Sequence, residues 1–112
     1  HDIGKNIVSS MLTSSGFEVH DLGVDVPVKD IISKAQEVDA DIIACSALLT
    51  TSMPVMRDLI ELLNAMGERR RFKVIVGGAS ITEEFSKSIG ADGTSPNAMK
   101  VVHLAKQLMR EK

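Results

Sequence analysis

Two short apolar runs most constrain the fold of this chain. Residues 41–46 and 72–77 are rich in isoleucine, valine and alanine and have no polar face. Strands of this kind usually lie in a parallel sheet that is covered on both sides. Because amphipathic helical segments separate and surround them, the sequence predicts an α/β domain with a doubly wound, Rossmann-like (flavodoxin-like) parallel sheet.

Periodicity and helix-end signals place the other elements. The helices are predicted at residues 5–15, at 28–38, from a cap at 51 or 52 to 66, from a cap at 82 to 89, and from a cap at 95–96 to 109; the strands are predicted at 17–22, 41–46, 72–77 and 91–93. Pro27 suits the first helical position of the second helix. Val55, Met66 and Met109 are expected on inward-facing stripes, and the basic run at 69–71 is expected to be a solvated helix end.

The order of elements has a gap at its beginning. A doubly wound domain of this size normally starts with a strand, which is central in the flavodoxin-like order. This chain starts with the loop that would follow that strand. We therefore expect residues 1–112 to be one domain that is trimmed at its N-terminus, or one whose first strand is supplied by another segment.

Composition excludes several classes of function. The chain has 13 basic and 15 acidic residues and a net charge of −2, which argues against binding to nucleic acid through phosphate neutralisation. No apolar run approaches the roughly 20 residues of a membrane helix, and the start of the chain does not resemble a signal peptide. Cys45 is the single cysteine, so a disulfide framework and a cysteine-based zinc site are excluded. These observations predict a cytoplasmic protein without nucleic-acid or membrane partners.

Three motifs follow the predicted strands and share one edge of the sheet. They are residues 1–6, residues 46–52 and Gly77-Gly78-Ala79. In open parallel sheets, ligands bind outside the carboxyl ends of the strands. The double glycine permits a close approach by a ligand, and the hydroxyl groups of Ser46, Thr50 and Ser52 offer hydrogen bonds. The sequence therefore predicts a site for a large ligand at this edge.

Taken together, the motifs resemble the cobalamin-binding domain of methionine synthase, adenosylcobalamin mutases and corrinoid methyltransferase proteins. The resemblance is carried by His1-x-x-Gly4, Ser46-x-Leu48-x-Thr50 and Gly77-Gly78, with further likeness at residues 21–27, 40–43 and 90–93. It is closest to the small corrinoid proteins of methylamine- and methanol-type methyltransferase systems, and it covers nearly the whole chain.

The resemblance implies a role for each motif residue. His1 stands where the family has the lower axial ligand of cobalt, and Asp2, Ile3 and Gly4 would pass under the corrin ring. The groove for the displaced nucleotide tail would be lined by Ser46, Leu48, Thr50, Gly77, Gly78 and Ala79, with Gly93, Asn97 and Ala98 near the far end of the tail. Ser52 matches a relay serine of methionine synthase. The aspartate that precedes the family histidine by two residues has no counterpart in this chain.

The resemblance implies a methyl carrier. Its cofactor would be methylcobalamin or another corrinoid, with cobalt as the reactive atom, and the domain would have no substrate site of its own. Its partners would be a substrate-specific methyltransferase, a second methyltransferase for the acceptor, and a reductive activase. Whether such a domain counts as an enzyme is left open.

Three other functions remain open at this point. A radical mutase domain shares the histidine, serine and glycine motifs, although mutases tend to have glycine or histidine after the position of Leu48, where this chain has leucine. A regulatory corrinoid module would use the cofactor as a signal. The last alternative is a flavodoxin-like or receiver domain without cobalamin.

Overall fold

Three parallel strands, β1 (Ile42–Ser46), β2 (Lys73–Gly77) and β3 (Gly93–Ser95), form one sheet in that order in the computed structural model of the chain. Among the described residues, the helices with defined ends are α1 (Val28–Glu37), α2 (Met53–Ala65), α3 (Glu83–Ile89) and α4 (Ala98–Glu111), and a 3₁₀ turn spans Arg69–Arg71. Residues 12–14, within the helix predicted at 5–15, are also helical. The structure describes residues 12–14, 16–20, 22, 26–46, 53–78, 81–95 and 98–111, with only the backbone at 95, 98 and 99.

The sheet is covered by different helices on its two faces, as a doubly wound domain requires. Ile43, Val74 and Val76 face a core formed with α1, α2 and α3. Ile42 and Ile75 face the opposite way, toward Leu104, Ala105 and Leu108 of α4. This arrangement confirms the predicted class of fold.

Helix α3 and its flanks follow the sequence signals closely. The hydroxyl oxygen of Thr82 accepts a hydrogen bond from the backbone N–H of Phe85 at 3.0 Å and caps the N-terminus. Gly90 ends the helix with φ of 86°, in the left-handed region that glycine adopts without a steric cost. The predicted helix over residues 83–89 is thus confirmed.

Several local predictions are wrong in position. Pro27 was predicted at the first helical position, but it is the N-cap of α1 and lies one residue before the first helical residue, Val28. The last strand occupies Gly93–Ser95, two residues later than expected. The basic run forms a 3₁₀ turn and not the end of a helix. Arg70 and Arg71 are exposed, as expected, whereas Arg69 is half-buried.

The segment at 17–22 does not form the predicted strand in its described residues, 17–20 and 22. A strand is stabilised by hydrogen bonds to a neighbour. In the predicted order, the only neighbour of this segment is the first strand of the fold, which none of the described residues supplies. Propensity and alternation alone therefore do not make this segment a strand.

Fewer apolar residues of the helices are buried than the sequence spacing predicted. Met56, Leu59, Ile60 and Leu63 are the buried residues of α2. Val55 and Met66 are 43% and 46% exposed, and Met109 of α4 is 37% exposed. Among the described residues, no helix is both long enough and apolar enough to cross a membrane.

Candidate functional site

The ends of the three strands lie side by side at the carboxyl edge of the sheet. Ser46 pairs with Gly77 between β1 and β2, and Gly77 pairs with Ser95 between β2 and β3. Neighbouring strands are about 4.8 Å apart, so these three small residues form a continuous row. The structure therefore brings two predicted site residues, Ser46 and Gly77, next to each other.

Among the described residues, the β1 part of this edge is exposed on the side that faces α4. Successive residues of a strand point to opposite faces, so Ile42, Ala44 and Ser46 share the face that α4 covers. Ile42 packs against the α4 cluster, whereas Ala44 and Ser46 are exposed. We call Ala44, Ser46 and Gly77 the open shelf.

Ala44 is a member of the open shelf that the sequence interpretation missed. The strand was predicted to be buried on both sides, which gave no reason to single out Ala44. Because Ala44 is exposed, this prediction was wrong for the carboxyl half of β1. The two-residue period of a strand indicates which side of β1 each residue faces, but not how much of that side is covered. Ile43 and Cys45 contact the core on one side, while the small pair Ala44 and Ser46 occupies the other.

The two glycines after β2 have different roles. Gly78 has φ of 126°, a conformation that side chains with a Cβ rarely adopt. Its carbonyl oxygen accepts a hydrogen bond from the N–H of Ile81 at 3.1 Å and begins the turn toward α3. Gly77 does not have positive φ. Gly77 is therefore suited to its position because it has no side chain and leaves space on the open shelf, and not because its backbone conformation requires glycine.

Gly93 has a packing role that the sequence interpretation did not foresee. A Cβ added at this position would lie 3.0 Å from two side-chain atoms of Leu104. The glycine therefore allows α4 to pack closely on β3. Ala98, also predicted near the far end of the cofactor tail, is the first residue of α4.

The other predicted site residues lie outside the described part of the chain. They are His1, Asp2, Ile3, Gly4, Leu48, Thr50, Ser52, Ala79 and Asn97. The described residues contain no group of three or more histidine, cysteine, aspartate or glutamate side chains that could hold a metal ion.

Cys45 is predicted to be chemically inert in the folded protein. Burial against the α1–α3 core raises the pKa of its thiol from 9.0 to about 11, so the thiolate that reacts with alkylating agents is scarce at neutral pH. We expect iodoacetamide at about pH 8 to modify Cys45 much more slowly in the folded protein than in urea. The chain has one cysteine, which makes mass spectrometry a direct readout.

The sign of the pH effect follows from the same shift. The folded state holds the thiol proton more tightly than the unfolded state, so this contribution to stability is complete below about pH 9 and is lost as the pH rises toward 11. Equal alkylation rates in folded and unfolded protein would contradict the burial of Cys45.

Comparison with known proteins gives consistent matches. A family model described as the B12 binding domain matches residues 1–105. Dimethylamine corrinoid protein 2 of Methanosarcina acetivorans is 56% identical over 109 residues, which cover 97% of this chain and 50% of that protein. The monomethylamine corrinoid protein of Methanosarcina barkeri superimposes with a TM-score of 0.93 at 37% identity, over 97% of this chain and 52% of that chain.

A more distant match is the structure of the methanol:cobalamin methyltransferase complex from Methanosarcina barkeri. It has a TM-score of 0.91 at 27% identity and covers 100% of this chain and 43% of that chain. The chain thus spans about half the length of the corrinoid proteins it matches.

Proposed function

Because this chain belongs to the B12-binding family, we propose that it is the corrinoid-carrying domain of a methyl-transfer system and passes a methyl group between two partner methyltransferases. The cofactor of the domain is cobalamin or a related corrinoid. The single observation that carries the proposal is the row of Ser46, Gly77 and Ser95 at the carboxyl edge, because ligands of open parallel sheets bind there.

The open shelf supports a corrinoid at this edge. Its three residues are small, and Ala44 and Ser46 are exposed on the face that α4 covers further along the strands. A large ligand can therefore contact the sheet itself between β1 and β2. The double glycine of the motif adds space at Gly77 and a turn at Gly78 that directs the chain away from the edge.

The residues of the chain would bind and orient the cofactor. Ser46 supplies a hydroxyl group that both donates and accepts hydrogen bonds, and Gly77 leaves room for the tail. His1 would hold the cobalt of the cofactor, since a neutral imidazole nitrogen is a common metal ligand. When bound, the corrinoid supplies a cobalt atom that can take up and release a methyl group.

The residue types of the open shelf also support the proposal that partner proteins bind the methyl donor and the methyl acceptor. Alanine, serine and glycine side chains provide no general acid or base, and the described residues hold no metal-ligating cluster. The methyl donor and the methyl acceptor would therefore be held by other proteins. We propose one methyltransferase for each, together with a reductive activase. The relatives named for dimethylamine support a methylated amine as the donor.

The proposal is tested by spectroscopy on the full-length protein. We expect added cobalamin to be retained on gel filtration, and the Co(II) form to show electron-spin-resonance coupling to a protein nitrogen. Labelling histidine with ¹⁵N should alter that coupling, and His1→Ala should remove it. His103→Ala is the matched control, because His103 is exposed on α4.

The outcomes separate two parts of the proposal. Cobalamin that elutes free from the wild-type protein would refute the carrier function. Retained cobalamin whose nitrogen coupling is unchanged in His1→Ala would refute only the role of His1.

A further inference from the structure

Strand β3 is too short to fix its own position. It contains three residues, and the register places Gly93 beside Ile75, Thr94 beside Val76 and Ser95 beside Gly77. A shift by one residue would turn each side chain to the opposite face. Contacts outside the strand are therefore needed to specify this register.

Asp92 supplies such contacts immediately before β3. Its backbone N–H donates a hydrogen bond to the carbonyl oxygen of Val74 at 2.8 Å. Its carboxylate oxygen Oδ2 accepts a hydrogen bond from the N–H of Val74 at 2.7 Å. Asp92 thus forms hydrogen bonds with both the N–H and the carbonyl oxygen of Val74. The carboxylate accepts the bond that a backbone carbonyl oxygen would accept in a regular sheet.

Arg69 holds the Asp92 carboxylate from the other side. One guanidinium nitrogen lies 3.0 Å from Asp92 Oδ2 and 2.6 Å from the carbonyl oxygen of Gly90, and the other donates to the carbonyl oxygen of Phe72 at 3.0 Å. The two side chains are 18% and 24% exposed. Hydrogen bonds between charged groups are stronger than neutral ones, so this ion pair fixes the direction of the carboxylate.

Close packing on α4 selects the same register. The position occupied by Gly93 leaves little room for a Cβ, because it would lie 3.0 Å from two side-chain atoms of Leu104. A slip in either direction would bring Asp92 or Thr94 to this position. Both residues carry a Cβ, so either slip would make a tight contact with Leu104 and require its side chain to shift.

The register matters at the opposite end of the strand. It sets Ser95 beside Gly77 in the row at the carboxyl edge. Ala98, predicted near the far end of the cofactor tail, begins α4 three residues later. A displaced β3 would move this side of the proposed site as a unit.

We infer that Asp92, held by Arg69, is a positioning residue for the cofactor: it locks β3 on β2 and so places the β3 end of the binding edge next to Gly77. This inference rests on the proposed function. Asp92 acts from the amino end of the strand and does not contact the cofactor itself.

The test compares variants of the full-length protein. Asp92→Ala removes the carboxylate, and Asp92→Asn keeps an oxygen that can accept from the N–H of Val74. Thr82→Ala is the matched control, because it removes a side-chain hydrogen bond of 3.0 Å from the neighbouring helix α3 without touching the pair β2–β3. Three quantities are measured: cobalamin affinity, the urea midpoint, and hydrogen exchange of the amides at residues 93–95.

The expected results distinguish positioning from general stability. Asp92→Ala should weaken cobalamin binding about ten-fold and should speed exchange at residues 93–95. Asp92→Asn should recover most of the affinity. Thr82→Ala should lower the urea midpoint while leaving affinity and the exchange of β3 unchanged.

Two outcomes would overturn the inference alone. One is wild-type affinity in Asp92→Ala. The other is that Thr82→Ala and Asp92→Ala have the same urea midpoint and lose the same amount of cobalamin affinity. Wild-type protein that binds no cobalamin would overturn the proposed function and, with it, this inference.

Discussion

Replacing Gly77 by leucine is expected to weaken cobalamin binding about 10- to 100-fold while the domain stays folded. The loss corresponds to the roughly 1–3 kcal/mol that overpacking costs in a filled space. A side chain at this position would project onto the same face as Ile75 and Ala44, where the open shelf lies. The backbone tolerates leucine because Gly77 does not have positive φ. The measurement is a titration of the full-length protein with cobalamin, followed by visible absorption.

Lys73→Leu is the matched control for Gly77→Leu. Lys73 lies on the same strand and, by alternation, on the same face, but at the amino end of β2. The substitution introduces leucine at the end of β2 that lies farthest from the carboxyl edge. We therefore expect the cobalamin affinity of Lys73→Leu to equal that of the wild type. Equal weakening in the two variants would show that leucine perturbs the sheet as a whole. Unchanged affinity in Gly77→Leu would remove the open shelf from the binding site.

The row of strand ends could be predicted because it depends on a rule that acts along the whole strand. Parallel strands begin and end at common edges, so residues that follow two apolar runs must come together. Ser46 and Gly77 are register partners as a result. The exposure of Ala44 could not be read in the same way. It depends on how far α4 extends over the sheet, which is a property of the packed structure.

The helices show what sequence periodicity cannot predict about burial. Spacing identifies the side of a helix that faces the core, but not the width of the contact. Met56 and Leu59 are buried, whereas Val55, one residue earlier, and Met66, beyond the last turn of α2, remain exposed. Neighbouring elements decide which edge of a stripe is covered. A single sequence does not contain that information in a local form.

Arg69 and Asp92 show a second limit. A run of three arginines resembles a solvated surface, and nothing local predicts that one of them reaches across 23 residues to a carboxylate. Asp92 was expected inside a strand. Its side chain instead forms the hydrogen bond that a strand residue would make through its backbone, which is why the regular pairing begins at Gly93.

Truncating Leu59 to alanine is expected to lower the free energy of unfolding by about 2–5 kcal/mol, the range for removing a large aliphatic side chain from a packed core. Leu59 is fully buried in the cluster that joins α1, α2 and α3 to the sheet. Single domains are stable by only about 5–15 kcal/mol, so this one change would remove a large share of the total.

Val55→Ala is the control for Leu59→Ala, because it truncates an aliphatic residue of the same helix that is 43% exposed. Its expected change is within about 0.5 kcal/mol. Urea unfolding of both variants measures the difference, and repeating it with cobalamin adds a second comparison. A ligand that binds only the folded state stabilises it by mass action, so cobalamin should raise the urea midpoint of Leu59→Ala as it does that of the wild type. Equal stabilities of the two variants without cobalamin would mean that α2 is not anchored through Leu59.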